Sequence, residues 1–320
     1  MRIRFGYVAI SMRLGKKISS SSTVTFTNYN KIISERNKLD KLKSITLSNL
    51  NDLEKILNYN VENQIHFYRI TSALIPLVTH PDVGYWGHRE IFKKDFEFIG
   101  RIIRKNNMRV DTHPDQFNVL NSASNEIVKN SIGNLMRQVE WFEDLGYLHG
   151  KMVLHVGGAT GGKESGISRF IDNFSLIPEE IGSKLILEND DKIYTAREVL
   201  DICRTLNLPM VLDVHHHNCN NNGENIEDLL EEIFNTWDNE FFPPKIHFST
   251  PKDHDKDRKH ADYINAEDLV EFLEKAKVLD RDFDIMLECK KKDEALYKLV
   301  KDIKVIRPQY KWIDNSTFEL

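Results

Sequence analysis

Short apolar runs recur along the chain, and each is followed by a longer segment with polar and apolar residues mixed. The runs are rich in Val, Ile, Leu and Met and are apolar on both faces in places, which is typical of strands buried in a parallel sheet. They lie at residues 2–8, 65–71, 108–113, 150–156, 184–189, 209–214, 244–249 and 284–289. Apolar residues at helical spacing predict helices between them, at residues 49–63, 124–146, 195–208, 225–237 and 265–279.

Eight strands that alternate with helices predict an α/β fold, a single (β/α)8 or TIM barrel. No long linker divides the sequence, so we expect one domain over residues 1–320. An open doubly wound sheet is the structural alternative, although it would usually need fewer strands. The polar segment 16–30 and the charged segment 249–263 are expected to be loops after the first and seventh strands.

Composition narrows the class of protein only a little. The chain has 44 basic and 49 acidic residues, and the net charge of −5 argues mildly against a nucleic-acid partner. Bound divalent ions would change that local balance. Three widely spaced cysteines without a CxxC pair favour a reducing cytoplasm. The first residues do not resemble a signal peptide, and no stretch approaches a membrane span, so we expect no membrane partner.

Ligand-type side chains stand at the ends of six predicted strands. These residues are His113, His155, Glu188, Asp213, His247 and Glu288. One such histidine is more often an ordinary polar residue, and Glu188 or Asp213 could simply cap a helix. However, the strand ends of a barrel converge on one face, and burying so many ionisable groups without a cation is very costly. The pattern therefore predicts a multinuclear site for Zn²⁺ or Mn²⁺, of the kind that hydrolyses phosphoesters.

The segment VLDVHHHN at residues 211–218 adds three histidines beside Asp213. Strand alternation would place Asp213, His215 and His217 on one face. If the strand ends at Val214, alternation no longer chooses among the three histidines.

Several segments, in chain order, resemble the UV damage endonuclease family: FGYV, HFYRITSALIPLVTHP, DTHPDQF, LHVGG, LENDD, DVHHHN, KIHFS and MLECKKKD. The resemblance covers nearly the whole chain. It implies a TIM barrel related to endonuclease IV, with three divalent ions, usually manganese. It also implies an enzyme that initiates excision repair by cutting damaged double-stranded DNA immediately 5′ to ultraviolet photoproducts, and also at abasic sites. We expect a monomer.

The resemblance also implies a ligand set. The first ion would be held by His113, His155 and Glu188, the second by Glu188, Asp213, His247 and Glu288, and the third by His216, His260 and Lys245. Lys245 would be carboxylated on its side-chain nitrogen. Lys245 and His247 are two residues apart on one strand and so face the same way. An ordinary ion pair of Lys245 is the alternative.

The resemblance implies further residues that act on DNA. His80 would lie near the scissile phosphate, and Glu188 and Lys245 would serve catalysis through the ions. Gln116 and Phe117 would probe the helix at the lesion, and Tyr7 would line the lesion pocket. Proximity to the loops, and not the resemblance, makes four basic residues candidates for phosphate contacts, although each is more often a solvated surface charge: Arg69, Lys93, Arg258 and Lys259. A metal-dependent sugar isomerase and a non-cleaving protein that binds damaged DNA are the alternative functions.

Overall fold

Eight parallel strands close into a barrel in the computed structural model, which describes residues 1–15 and 17–320. The strands are β1 (Arg2–Val8), β2 (Phe67–Ile70), β3 (Arg109–Thr112), β4 (Lys151–His155), β5 (Leu185–Glu188), β6 (Met210–Asp213), β7 (Lys245–Phe248) and β8 (Phe283–Leu287). Each pairs with the next in chain order, and β1 closes the ring by pairing with both β2 and β8. The predicted (β/α)8 barrel is confirmed.

Helices lie between the strands along the chain. They are α1 (Phe26–Asn30), α2 (Glu35–Glu62), α3 (His88–Ile91), α4 (Lys93–Lys105), α5 (Asn125–Asp144), α6 (Lys163–Phe174), α7 (Glu179–Gly182), α8 (Ala196–Leu206), α9 (Val214–Cys219), α10 (Glu227–Asn235), α11 (Ala266–Ala276) and α12 (Lys292–Ile306). Local sequence sets several of their ends. In α8, for example, Thr195 Oγ1 accepts from the Glu198 amide and Glu198 Oε2 accepts from the Thr195 amide, which forms a capping box. No helix in the described part of the chain is long and apolar enough to cross a membrane.

The helices differ from the sequence pattern in three ways. The helix predicted from residue 49 begins at Glu35, because its first turns are mostly exposed and lysine-rich and so carry little apolar periodicity. The segment predicted as a polar loop at 16–30 contains α1, whose N-terminus is capped by Thr25, while Lys16 lies outside the described residues. Helices α4, α6 and α12 occupy connections for which the pattern predicted none.

A short hairpin at the end of the chain extends the sheet beside β1. Its strands are β9 (Lys311–Trp312) and β10 (Thr317–Glu319), and β10 runs antiparallel to the first residues of β1. The second half of β1 pairs with β2. Gly6 allows that approach, since a Cβ at this position would lie 2.6 Å from the Phe67 carbonyl oxygen.

Buried ion pairs fill the end of the barrel where the strands begin. Arg4 Nε donates to Asp284 Oδ1 at 2.8 Å, and Arg109 Nη1 donates to Asp284 Oδ2 at 2.6 Å. Arg109 also donates to the Pro243 carbonyl at 2.8 Å. This network lies at the opposite end of the strands from the candidate ligands described next.

Candidate metal centre

The ends of six strands bring histidines and carboxylates together at one mouth of the barrel. His155, Glu188 and Asp213 are the last residues of β4, β5 and β6, His247 is the third residue of β7, and His113 and Glu288 directly follow β3 and β8. Neighbouring strands align these positions, because His155 pairs with Glu188 and Asp213 with His247 in the strand register. The barrel closure therefore places side chains from distant parts of the sequence side by side.

Glu188 lies at the centre of this cluster and is 1% exposed. Its Oε2 is 3.3 Å from His113 Nε2 and 3.6 Å from His155 Nε2. Its Oε1 is 2.7 Å from His247 Nδ1 and 3.6 Å from His216 Nδ1. The two oxygens face different pairs of histidines, so Glu188 borders more than one group of candidate ligands.

Within the described residues, candidate ligand atoms from histidine and carboxylate side chains form three groups, and the atoms of each group lie no more than 4.8 Å apart. The groups are His113–His155–Glu188, Glu188–Asp213–His216 and Glu188–His247–Glu288. The first group has the composition that the family resemblance implies for the first ion.

The other two groups combine the remaining candidate ligands differently from the ligand sets that the resemblance implies. Asp213 is grouped with His216, whereas the resemblance pairs it with His247 and Glu288. The groups adjoin, however, because Asp213 Oδ2 is 4.0 Å from His247 Nδ1. His260 is near the cluster, with its ring centre 6.3 Å from that of His216.

A change from strand to helix selects one histidine of the triplet. The strand β6 ends at Asp213, and α9 begins with Val214. Asp213 Oδ1 caps this helix by accepting from the His216 amide at 2.7 Å, while Oδ2 has no hydrogen-bond partner among residues 1–15 and 17–320. Helical geometry replaces strand alternation, so His216 joins Asp213, and His217 Nε2 donates instead to the Glu224 carbonyl at 3.1 Å. Asp213 is thus both a helix cap and a candidate ligand.

Main-chain carbonyl groups orient several of the imidazole rings. The Nδ1 atoms of three histidines point at carbonyl oxygens: His113 at that of Pro114 (3.1 Å), His216 at that of Asn189 (2.9 Å) and His260 at that of Glu288 (2.5 Å). A carbonyl oxygen only accepts, so each Nδ1 carries a proton, and in the neutral ring the lone pair is then on Nε2. Metal-binding histidines usually have this second hydrogen bond.

The buried polar atoms of the cluster are only partly satisfied by neighbouring groups. Three atoms are buried and have no hydrogen-bond partner in the part of the chain that the structure describes: Glu188 Oε2, Asp213 Oδ2 and His155 Nδ1. Burial, with the carboxylates of Glu188 and Glu288, raises the pKa of Asp213 to about 8 against the opposing effect of His216. Leaving such groups unpaired is costly, and a divalent ion would pair them. The imidazole and carboxylate donors therefore fit divalent metal ions.

Lys245 forms an ion pair inside the barrel. It is the first residue of β7, is fully buried, and its Nζ lies 2.5 Å from Asp111 Oδ2. Burial lowers the pKa of Lys245 to about 8. The structure thus shows the ion pair that was the alternative to a carboxylated lysine, and the carboxylation stays a prediction.

Arg69 is buried inside the barrel and is not a surface contact for phosphate, contrary to the sequence-based expectation. Its Nη1 donates to Glu288 Oε1 at 2.6 Å, and its Nη2 is 2.6 Å from His247 Nε2. The segment IHFYRIT at 65–71 already places this arginine within an apolar strand. A charged residue inside a predicted buried strand was the signal that would have located it.

The predicted DNA-contacting residues lie in different environments. Gln116 and Phe117 are exposed on a turn after β3, and Phe117 is 76% exposed. Phe117 and His80 line one groove of 530 Å³, and the His80 ring stacks on Phe26 at 3.9 Å. Tyr7 is fully buried, and its hydroxyl donates to Asn60 Oδ1 at 2.7 Å, so the structure does not bring it to the surface.

Comparisons with known proteins show the family to which the chain is similar. A sequence model described as UV-endonuclease UvdE matches residues 3–315. The chain is 39% identical over 308 residues to a UV DNA damage endonuclease of Bacillus cereus, covering 96% of both chains. It is similar to the crystal structure of SacUVDE, with a TM-score of 0.84, 33% identity, and coverage of 95% of this chain and 99% of the other.

A D-tagatose 3-epimerase-like protein shares the fold at a TM-score of 0.58. The identity is 16%, and the match covers 96% of this chain and 98% of the other. At that identity the likeness concerns the fold alone.

Proposed function

The chain belongs to the UV-endonuclease UvdE family, whose relatives act on DNA, and from this we propose that it is a metal-dependent endonuclease for ultraviolet-damaged duplex DNA. The bond cut would lie immediately 5′ to a photoproduct, and the cut would initiate excision repair. Abasic sites would be a second substrate. The observation that carries the metal dependence is the buried Glu188, which faces four histidines.

The three groups of candidate ligands would hold divalent ions, for which we propose Mn²⁺. When bound, such ions would lower the pKa of water and stabilise charge on the departing 3′ oxygen. Glu188 would contribute to every group, because it belongs to all three. A separate side-chain base is then not required.

The protein itself would fix the positions of the ligands. Asn189 is fully buried, and its side chain accepts from the Asp213 amide at 2.8 Å and donates to the Asp213 carbonyl at 3.0 Å. Its own carbonyl accepts from His216 Nδ1 at 2.9 Å. One buried amide residue therefore orients two ligands of the same group, which favours a preorganised site.

Carboxylation of Lys245 remains part of the proposal. Only a neutral amine reacts with carbon dioxide, and a lysine with a pKa of about 8 is neutral in about a tenth of molecules at pH 7. Burial therefore makes the reaction accessible at neutral pH. The ion pair with Asp111 would have to break, because a carbamate is itself an anion.

Lesion recognition would use the exposed turn after β3. Distorted DNA stacks poorly, so its damaged bases cost less to extrude. Phe117, with three-quarters of its surface exposed, would fill the space left behind, and Gln116 would contact the opposing bases. His80 lines the same groove as Phe117 and would orient the phosphate. A contact of Tyr7 with the lesion would require that its buried side chain becomes accessible.

The test is cleavage of irradiated duplex DNA by the chain freed of metal, with and without added Mn²⁺. We expect nicks 5′ to photoproducts with 3′-hydroxyl and 5′-phosphate ends, only in the sample with Mn²⁺, and little cutting of unirradiated duplex. Cleavage that persists after complete chelation would refute the metal mechanism. Retained affinity for irradiated DNA without any cleavage would favour a binding protein. We also expect the chain to act as a monomer in the cytoplasm, on chromosomal DNA.

A further inference from the structure

The buried Arg69 contacts two members of one candidate metal group. It is the third residue of β2 and is 4% exposed. Its guanidinium donates to Glu288 Oε1 and lies against His247 Nε2, in both cases at 2.6 Å. Its Nε is 3.6 Å from Asp111 Oδ1. The cation therefore lies among the ligands, where the function proposed above gives it no role.

The contact with Arg69 fixes the hydrogen atoms of His247. A guanidinium group has donors only and stays protonated, so His247 Nε2 must accept from it. The proton of the neutral ring is then on Nδ1, which lies 2.7 Å from Glu188 Oε1 and donates to it. In this arrangement neither ring nitrogen of His247 offers a free lone pair to an ion.

Either way of binding an ion at His247 breaks the contact with Arg69. An ion at Nε2 would take the place of the guanidinium. An ion at Nδ1 would move the ring proton to Nε2, where it would face another donor. Glu288 is similarly engaged, because its Oε1 already accepts from Arg69.

The other two groups carry no such competitor. Within residues 1–15 and 17–320, the carboxylates of Glu188 and Asp213 form close pairs with histidines alone. Among the described residues, no group forms a hydrogen bond with Asp213 Oδ2 or Glu188 Oε2, so no such contact has to break when an ion binds these oxygens.

We propose that Arg69 is an internal cation of the centre, which neutralises Glu288 in the metal-free protein and must release His247 when an ion binds there. The group Glu188–His247–Glu288 then binds its ion last and most weakly. Arg69 is a positioning residue in this scheme. The inference rests on the proposed function only in that the centre binds divalent ions.

Equilibrium dialysis of the full metal-free chain against Mn²⁺, with elemental analysis, tests the proposal. Arg69→Met keeps an unbranched, flexible apolar side chain but removes the charge and the hydrogen-bond donors, and Arg69→Lys keeps the charge but not the two-pronged geometry. Arg109→Met is the matched control, because Arg109 is also buried and also pairs with a buried carboxylate, Asp284, at the other end of the barrel.

We expect the weakest Mn²⁺ binding step to tighten about tenfold or more in Arg69→Met, because a charge-assisted hydrogen bond changes an equilibrium constant by at least this factor. Arg69→Lys should tighten this step less, and Arg109→Met should bind Mn²⁺ as the unaltered chain does. Without Mn²⁺, Arg69→Met should unfold at a lower temperature than the unaltered chain, and saturating Mn²⁺ should narrow that gap.

Unchanged or weaker Mn²⁺ binding in Arg69→Met would overturn the proposal, because Arg69 would then only support the ligands. If this variant does not fold, crystal structures of the unaltered chain with and without Mn²⁺ test the proposal, by comparing the contact between Arg69 and His247. A contact between Arg69 and His247 that persists in the ion-filled crystal would refute the proposal, and a broken contact would support it. A chain that binds Mn²⁺ as described but leaves irradiated duplex uncut would refute the proposed function alone.

Discussion

Replacing Glu188 by glutamine should weaken all three candidate ion sites at once. The substitution keeps the size of the side chain but replaces one carboxylate oxygen by an NH₂ group, which donates and cannot bind an ion. Each candidate group contains Glu188 and has three members, so each loses part of one of its three side-chain ligands. The remaining carboxylates, Asp213 and Glu288, stay in different groups and cannot replace the bridge.

The size of the effect follows from binding linkage. Loss of a residue that merely supports a metal ligand costs about 10–100-fold in affinity, so loss of a bridging ligand should cost at least about 100-fold. At Mn²⁺ about 100 times above the original Kd, one ion stabilises the fold by about 2.7 kcal/mol, and a hundredfold weaker site leaves about 0.4 kcal/mol. For a chain of this length, the difference lowers the unfolding temperature by about 3–4 °C for each ion.

Thermal unfolding with and without Mn²⁺, together with the metal content of the purified chain, measures this effect. Asp284→Asn is the control, because Asp284 is another buried carboxylate but lies at the opposite end of the barrel. That variant should unfold at a lower temperature under both conditions and still gain the full stabilisation from Mn²⁺. If Glu188→Gln kept the original stabilisation and metal content, Glu188 would not be a shared ligand.

Three further predictions concern stability and recognition. Asp284→Asn should lower the free energy of unfolding of the metal-free chain by about 3 kcal/mol, because it leaves the charges of Arg4 and Arg109 unpaired. Urea titrations measure this free energy, and a loss below about 1 kcal/mol would contradict the prediction. Phe117→Ala should slow cleavage of irradiated duplex about tenfold or more, because it removes a stacking surface, and its Mn²⁺ binding should be unchanged. Phe117→Tyr keeps an aromatic ring and should cut at the normal rate. Equal cleavage rates for Phe117→Ala and the unaltered chain would exclude a stacking role. Burial lowers the pKa of His88 from 6.5 to about 4, so between these values the unfolded chain binds more protons, and the free energy of unfolding should fall as pH drops through this range. His88→Leu should flatten that part of the stability–pH curve, and an unchanged slope would show that other groups cause it.

Local sequence determined the strands and the residues at their ends. The predicted runs at 65–71 and 184–189 contain β2 (Phe67–Ile70) and β5 (Leu185–Glu188), because buried parallel strands need short, continuous apolar stretches. In a (β/α)8 barrel the carboxyl ends of all the strands lie at the same mouth, so the position of a residue along its strand indicates where it lies in the barrel. That is why Glu188 and Asp213 could be expected to lie together before any coordinates were known.

Family resemblance supplied what periodicity left open. Alternation along a strand could not choose among the three histidines after Asp213, whereas the resemblance selected His216. The structure gives the physical reason, which is that Asp213 ends the strand and caps a short helix, so that spacing along a helix replaces spacing along a strand.

Only the tertiary structure decided which charged groups meet inside the barrel. Lys245 and Asp111 are 134 residues apart in the chain, and Arg69 and Glu288 are 219 apart. Such pairs depend on the stagger of strands around the closed ring and on which rotamers fit in its interior, and no local pattern encodes either. The sequence by itself therefore determined the barrel and the chemical types of the ligands, whereas the pairing of Arg69 with His247 and of Lys245 with Asp111 followed from long-range packing alone.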